Sequence, residues 1–191
     1  MNGVARFILR AKHWQIFVLL IGTQIAGFVG LIATELTVKS SENSLISAVI
    51  EVAFALPCFL CYLAWWWSTG SLLHSLIKPR RELNIRLFHF SSISLLLLFV
   101  FAHLLPPIYG PVKPLYFAAI ATTYLCVLFF VFYIPYFLSK SLVMRNKGRV
   151  EIGGGDVAFF FLFLFPFIGV WLIQPRINQL YAETQKWEPK S

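Results

Sequence analysis

The chain has 191 residues, of which 59% are hydrophobic and only 13% are charged, and its formal net charge at pH 7 is +8. A soluble domain carries roughly 45–50% apolar and about 25% charged residues, so this composition excludes an ordinary water-exposed surface. The basic residues lie between apolar runs, where they indicate membrane topology rather than nucleic-acid binding.

Five apolar segments are long enough, or nearly so, to cross a hydrocarbon core of about 30 Å, which takes roughly 20 helical residues. They cover 14–34, 45–67, 87–105, 115–138 and 157–173. We therefore predict an all-α fold, a polytopic transmembrane helical bundle of about five spans that forms a single integral membrane domain over 1–191. The first segment is longer than a signal-peptide core and no suitable cleavage site follows it, so we interpret it as an uncleaved signal anchor.

The basic residues also predict an orientation. With a cytoplasmic amino terminus, 11 of the 16 Lys and Arg residues fall in inner segments, and the first two outer loops hold only Lys39 and Lys113. The positive-inside rule therefore places the amino terminus in the cytoplasm. The expected location is a cell membrane, crossed several times, of the bacterial cytoplasmic kind.

The fifth segment, 157–173, is the shortest, and Pro166 and Gly169 interrupt it. It fits either a kinked span, which puts the tail outside, or a re-entrant hairpin, which returns the tail to the cytoplasm. Irregular backbone is costly in lipid unless protein covers it, so the kinked span is preferred. In a kinked span, Trp171 marks the outer interface.

Small residues spaced by four predict packing faces on two spans, because they let helix backbones approach closely in lipid. They are Gly22, Ala26 and Gly30 on the first span, and Ala118, Thr122 and Cys126 on the fourth. These two helices run antiparallel in the predicted topology and can pair. The alternative is a homodimer through the Gly22 face.

Glu51 is the only acidic residue well inside a predicted span, and ionisable groups at such positions are functional hypotheses by default. His103 lies at a similar depth near the outer end of the third span, and histidine titrates near neutrality. A Glu51–His103 pair would carry or gate a proton, provided that the two side chains are within hydrogen-bond distance. The alternative is that Glu51 reaches the interface and is solvated or paired structurally.

The other polar residues predict neither a catalytic nor a metal site. The four histidines lack the i, i+3 or i, i+4 spacing of a helical metal site, and Cys58 and Cys61 lie in mid-span, where a thiolate is disfavoured. Motifs of P-loop proteins, zinc proteases and serine hydrolases are absent.

We therefore expect no cofactor and no bound metal. The lipid bilayer is the expected environment, and a second copy or another membrane protein is the expected partner. The preferred function is a non-enzymatic scaffold or complex subunit that works by packing. The alternative is a small transporter or proton-coupled channel subunit that uses Glu51 and His103, and a weaker third reading is an enzyme acting on lipid or lipid-linked substrates.

Overall fold

The computed structural model describes residues 3–38, 44–77, 83–109, 114–147 and 154–187. Within these ranges the secondary structure consists of seven helices: α1 (Gly3–Arg10), α2 (His13–Val38), α3 (Ser44–Leu76), α4 (Ile85–Tyr109), α5 (Pro114–Lys147), α6 (Gly154–Leu164) and α7 (Pro166–Trp187). Helices α2 to α5 are each long and apolar enough to cross a membrane, and α6 with α7 makes a fifth apolar segment if the bent pair counts as one. The predicted all-α class and the predicted number of apolar segments are confirmed.

The long helices follow from their composition, because a helix satisfies its backbone hydrogen bonds internally and lipid offers no replacement for them. A proline lies in the interior of α3 and of α5, Pro57 and Pro135, and both helices continue beyond it. They also extend to Leu76 and Lys147, well past the predicted limits at 67 and 138. These extensions mix polar residues with buried apolar ones, such as Leu73 and Leu142, that pack in the core.

Consecutive long helices are neighbours and run antiparallel. Gly30 of α2 contacts Phe54 of α3, and Gln24 Nε2 donates a hydrogen bond of 2.9 Å to Tyr62 Oη. The earlier residue of α2 is thus paired with the later residue of α3, so the two helices run in opposite directions. The pairs α3/α4 and α4/α5 repeat this arrangement. Helices α2 and α4 therefore begin, and α3 and α5 end, at one end of the bundle. Helix α1 lies there too, and we refer to this end as the α1 end.

A dense core fills the bundle toward the α1 end. Its fully buried members on α3, α4 and α5 are aliphatic or aromatic: Leu73, Phe88, Ile134, Phe137, Leu138 and Leu142. The rings of Phe88 and Phe137 stack with centroids 4.5 Å apart, and Gly70 makes room for them because a Cβ there would press into the Phe88 ring. Lipid tails are as apolar as these side chains, so close van der Waals packing holds this core together.

Helices α6 and α7 form a hairpin. The chain bends by 117° between them, at the single residue Phe165. With 11 residues, α6 is about 16 Å long, roughly half the thickness of a hydrocarbon core. Pro166 opens α7 at a position where its missing N–H is not needed. Gly169 allows the tight turn, because a Cβ there would overlap the Leu162 carbonyl oxygen.

The contacts of α7 lead back to the α1 end. The Trp171 ring lies 4.7 Å from the ring of His13, the first residue of α2, and Glu183 Oε2 lies 3.6 Å from Arg145 Nη2 near the end of α5. The expectation that Trp171 marks the opposite interface is therefore wrong. This geometry favours the re-entrant hairpin over the kinked span.

Candidate functional site

Glu51 lies two turns into α3 and is half-buried. His103 belongs to α4, but its side chain is outside the part of the chain that the structure describes. The Glu51–His103 pair therefore stays a prediction.

A groove of about 720 Å³ runs between α3 and α4, a little more than one turn from Glu51. Its described lining is wholly apolar: Leu56, Leu60, Leu96, Leu97, Leu98, Val100 and Phe101. Such a surface suits acyl chains or another helix, and these residues offer no polar group to a moving ion.

The structure divides the predicted small-residue stripe of α2. Gly30 is buried against the Phe54 ring, and any Cβ at this position would overlap that ring. Gly27, which the predicted stripe omits, faces α3 as well, with the Phe54 carbonyl oxygen 3.0 Å from the position of a Cβ. Gly22 and Ala26 are exposed, and among the described residues no neighbouring atom lies within 4 Å of where a Gly22 Cβ would be.

The stripe on α5 lies away from α2. Thr122 is exposed and Cys126 is half-buried, while the Ala118 side chain is outside the described residues. In the described ranges, α2 packs mainly on α3 and α7, and α5 packs mainly on α3, α4 and α6. The two stripes therefore do not form the main interface of α2.

A buried amide on α7 joins three helices at the α1 end. Gln174 is 0% exposed, and its Oε1 accepts a hydrogen bond of 2.8 Å from Trp65 Nε1. Its Nε2 donates to the Ile8 carbonyl oxygen and to Asn178 Oδ1, both at 2.9 Å. Asn178 Nδ2 donates in turn to the Ala11 carbonyl oxygen at 3.0 Å. We call these three side chains and two carbonyl groups, with Gln174 at their centre, the Gln174 junction.

The Gln174 junction caps α1. The last carbonyl groups of a helix have no partner within the helix, and leaving them bare at a buried site is costly. Gln174 and Asn178, one turn apart on α7, supply the missing donors to the Ile8 and Ala11 carbonyls. Ala11 and Lys12 connect α1 to α2, and we call this connection the elbow. The junction thus holds the elbow against α3 and α7.

Sequence reasoning missed this junction. Indole rings commonly collect among lipid headgroups, but Trp65 is 1% exposed and its indole N–H is used inside the protein. Proline commonly follows a helix end, yet α7 continues beyond Pro175 to Trp187. The available signal was the pair of amides at 174 and 178, spaced by four and therefore on one helical face.

A second polar contact joins α3 and α4. Ser71 Oγ lies 3.4 Å from His89 Nε2, and the His89 ring stacks on Trp67 with centroids 4.1 Å apart and planes 9° apart. A serine–histidine pair can act as a nucleophile when a third group orients the histidine. Within the described ranges no carboxylate contacts His89, and no three His, Cys, Asp or Glu side chains gather as metal ligands would. In this structure the contact therefore links α3 to α4.

The Gln174 junction and the Ser71–His89 contact each join helices at the α1 end, and among the described residues neither includes a carboxylate or a cluster of metal-ligating side chains. Comparison of the chain with known protein families, with curated proteins and with solved structures finds no significant match.

Proposed function

We propose that this chain is a non-enzymatic integral membrane protein that serves as a packing subunit, binding a transmembrane helix of a second copy or of a partner through the α2 face centred on Gly22. The observation that carries the proposal is that Gly22 and Ala26 lie exposed on α2, with open space beyond Gly22. A cell membrane, of the bacterial cytoplasmic kind, is the proposed location.

The lipid-facing surfaces of α4 and α5 include many large side chains, such as Leu97 on α4 and Leu125 and Phe129 on α5. A glycine within a helix destabilises it by roughly 0.5–1 kcal/mol relative to alanine, and contact with lipid does not require one. Small residues at a lipid-facing position let a second helix approach closely, which is how helices associate in membranes. Exposed Ile25 and Val29 flank Gly22 and supply the side chains that would pack around the crossing point.

The rest of the fold holds α2 in position. Its other face packs on α3 and α7, and Gly30 interlocks with Phe54. At the α1 end, the Gln174 junction fixes the elbow that precedes α2. A helix held along one side and at one end presents its remaining face in a defined orientation, as a subunit interface requires.

Disulfide crosslinking in the native membrane tests the proposal. Gly22→Cys is placed in a chain whose three native cysteines, Cys58, Cys61 and Cys126, are replaced by serine. Leu128→Cys is the matched control, because Leu128 is also exposed on the lipid-facing surface but lies on α5, outside the groove between α3 and α4. We expect a dimer on oxidation at position 22 and little at 128; equal yields at both positions would indicate random collision.

Gly22→Ile tests a partner other than a second copy. The larger side chain fills the space that a crossing helix needs, so we expect the native complex to fall apart to the size of the single chain on native electrophoresis. A wild-type chain that migrates as a monomer, gives no dimer at position 22 and is unaffected by Gly22→Ile would contradict the proposal.

The transport alternative rests on Glu51, an ionisable side chain half-buried within an apolar helix. Proton flux into proteoliposomes, compared between the wild type and Glu51→Gln, tests it. Loss of an existing flux in Glu51→Gln would favour transport over the packing role, and a wild type without flux would remove this alternative.

A further inference from the structure

Helix α1 presents apolar side chains outward as well as toward the bundle. Ile8 and Leu9 are buried against the protein, whereas Val4 and Phe7 on the other side are 65% and 62% exposed. Short helices of this kind lie in the membrane interface, where apolar side chains enter the acyl region and arginines stay among the headgroups.

A groove of about 430 Å³ lies beside α1, at its elbow with α2. Its lining residues are Gly3, Arg6, Phe7, Arg10, Ala11 and Gln15. Arg6 and Arg10 are one turn apart, so both guanidinium groups emerge on the same side of the helix. The groove therefore combines two positive charges with an apolar wall from Phe7 and Ala11.

Among the described residues, this charge has no acidic partner. Neither guanidinium lies within ion-pair distance of a described carboxylate, and Glu183 of α7 is paired with Arg145 at 3.6 Å. The Arg10 guanidinium carbon lies 5.9 Å from the centroid of the Tyr181 ring, a contact that orients the group without cancelling its charge.

Two features of the backbone favour an anion at the same place. The carboxyl end of α1, which would repel an anion, has its Ile8 and Ala11 carbonyls bonded to the amides of Gln174 and Asn178. The amino end of α2, which attracts anions, begins at the elbow. The electrostatic balance of the groove is therefore positive.

We propose that this groove binds the headgroup of an anionic glycerophospholipid, with Arg6 and Arg10 holding the phosphate. Guanidinium groups match phosphate oxygens in geometry and charge. The groove has an apolar wall, and Trp14 and Val18, exposed within the first two turns of α2, offer apolar surface for the acyl chains of the same molecule. A free phosphate ion would use the arginines but not this apolar surface.

Native mass spectrometry of the purified full chain tests the site, with phosphatidylglycerol, phosphatidylcholine and inorganic phosphate as three separate probes. We expect tighter binding of phosphatidylglycerol than of phosphatidylcholine, and no measurable binding of inorganic phosphate at equal concentration. The double variant Arg6→Gln/Arg10→Gln should bind phosphatidylglycerol about 30-fold more weakly, about fivefold for each basic residue near an anionic headgroup. Arg86→Gln is the matched control, an exposed arginine on α4, and should bind within about twofold of the wild type.

Three results would overturn the proposal. They are wild-type affinity in the double variant, an equal loss in Arg86→Gln, which would indicate diffuse charge attraction, and inorganic phosphate binding as tightly as phosphatidylglycerol. If the double variant does not fold, the single variants Arg6→Gln and Arg10→Gln replace it. Each should be about fivefold weaker, and wild-type affinity in both would equally overturn the assignment.

Discussion

Gln174 is the residue whose replacement tests most directly how the α1 end is held together. Gln174→Leu keeps a similar volume but leaves the buried Trp65 indole N–H and the Ile8 carbonyl without their partner. A buried polar group that loses its partner costs about 1–3 kcal/mol, although hydrogen bonds between membrane helices average nearer about 0.6 kcal/mol. With two such groups, we expect the free energy of unfolding to fall by about 2–4 kcal/mol.

Unfolding in mixed micelles of SDS and dodecylmaltoside, followed by far-UV circular dichroism, measures this loss. Gln179→Leu is the matched control, because Gln179 is exposed on the same helix and its Nε2 donates a hydrogen bond to Glu183 on that helix, at 3.4 Å. We expect the control to stay within about 0.5 kcal/mol of the wild type. A double-mutant cycle with Trp65→Phe should give a coupling energy of about 0.5 kcal/mol or more. Equal losses in Gln174→Leu and Gln179→Leu, or strict additivity with Trp65→Phe, would refute the reasoning.

Gly169→Ala adds a Cβ that overlaps the Leu162 carbonyl, so we expect it to lower the free energy of unfolding by about 2 kcal/mol in the same micelle assay. Gly22→Ala places its Cβ in open space and should be neutral or slightly stabilising. Equal effects of the two would argue against the tight turn. A topology reporter fused after Trp187 should report the same side of the membrane as one fused to the amino terminus, and opposite sides would restore the kinked span. Arg145→Gln removes an exposed ion pair and should lower the free energy of unfolding by less than about 1 kcal/mol; a larger loss in the same micelles would mean that this pair holds the hairpin.

The four long helices could be predicted from the sequence because a membrane fixes both the length and the composition of a span. Their ends could not, since α3 and α5 continue to Leu76 and Lys147 through segments that mix polar residues with buried apolar ones. The local sequence does not show which neighbouring helices those apolar residues pack against, and that packing carries the helices on.

The small-residue stripe on α2 shows how a sequence pattern can identify a packing face of a helix without identifying the helix that packs against it. Eight residues separate Gly22 from Gly30, and at 3.6 residues per turn this leaves a rotation of about 80° between them. Gly30 therefore turns toward α3, whereas Gly22 stays outward. The sequence contains this rotation, but which helix lies on which side depends on the tertiary structure.

The Gln174 junction lay beyond prediction because its partners are distant in the chain. Gln174 and Ile8 are 166 positions apart, and nothing near either residue indicates the other. What the local sequence shows is an amide pair spaced by four after an apolar run, which fits a helix leaving the membrane as well as a buried contact. The direction of α7 decides between these, and that direction depends on the turn at Phe165.

The turn at Phe165 also answers the objection that irregular backbone is costly in lipid. Only one residue separates α6 from α7, and Phe165 N–H still donates to the Phe161 carbonyl at 2.8 Å. The Phe165 carbonyl accepts from the N–H groups of Ile168 at 3.1 Å and Gly169 at 3.0 Å, while Pro166 has no N–H to satisfy. The Phe165 N–H and carbonyl therefore keep their hydrogen bonds through the reversal, which lowers the cost of a hairpin at this depth. With the tail returned to the amino-terminal side, Lys39 and Lys113 would be the only basic residues in the outer loops, a stronger positive-inside bias than the kinked span allows.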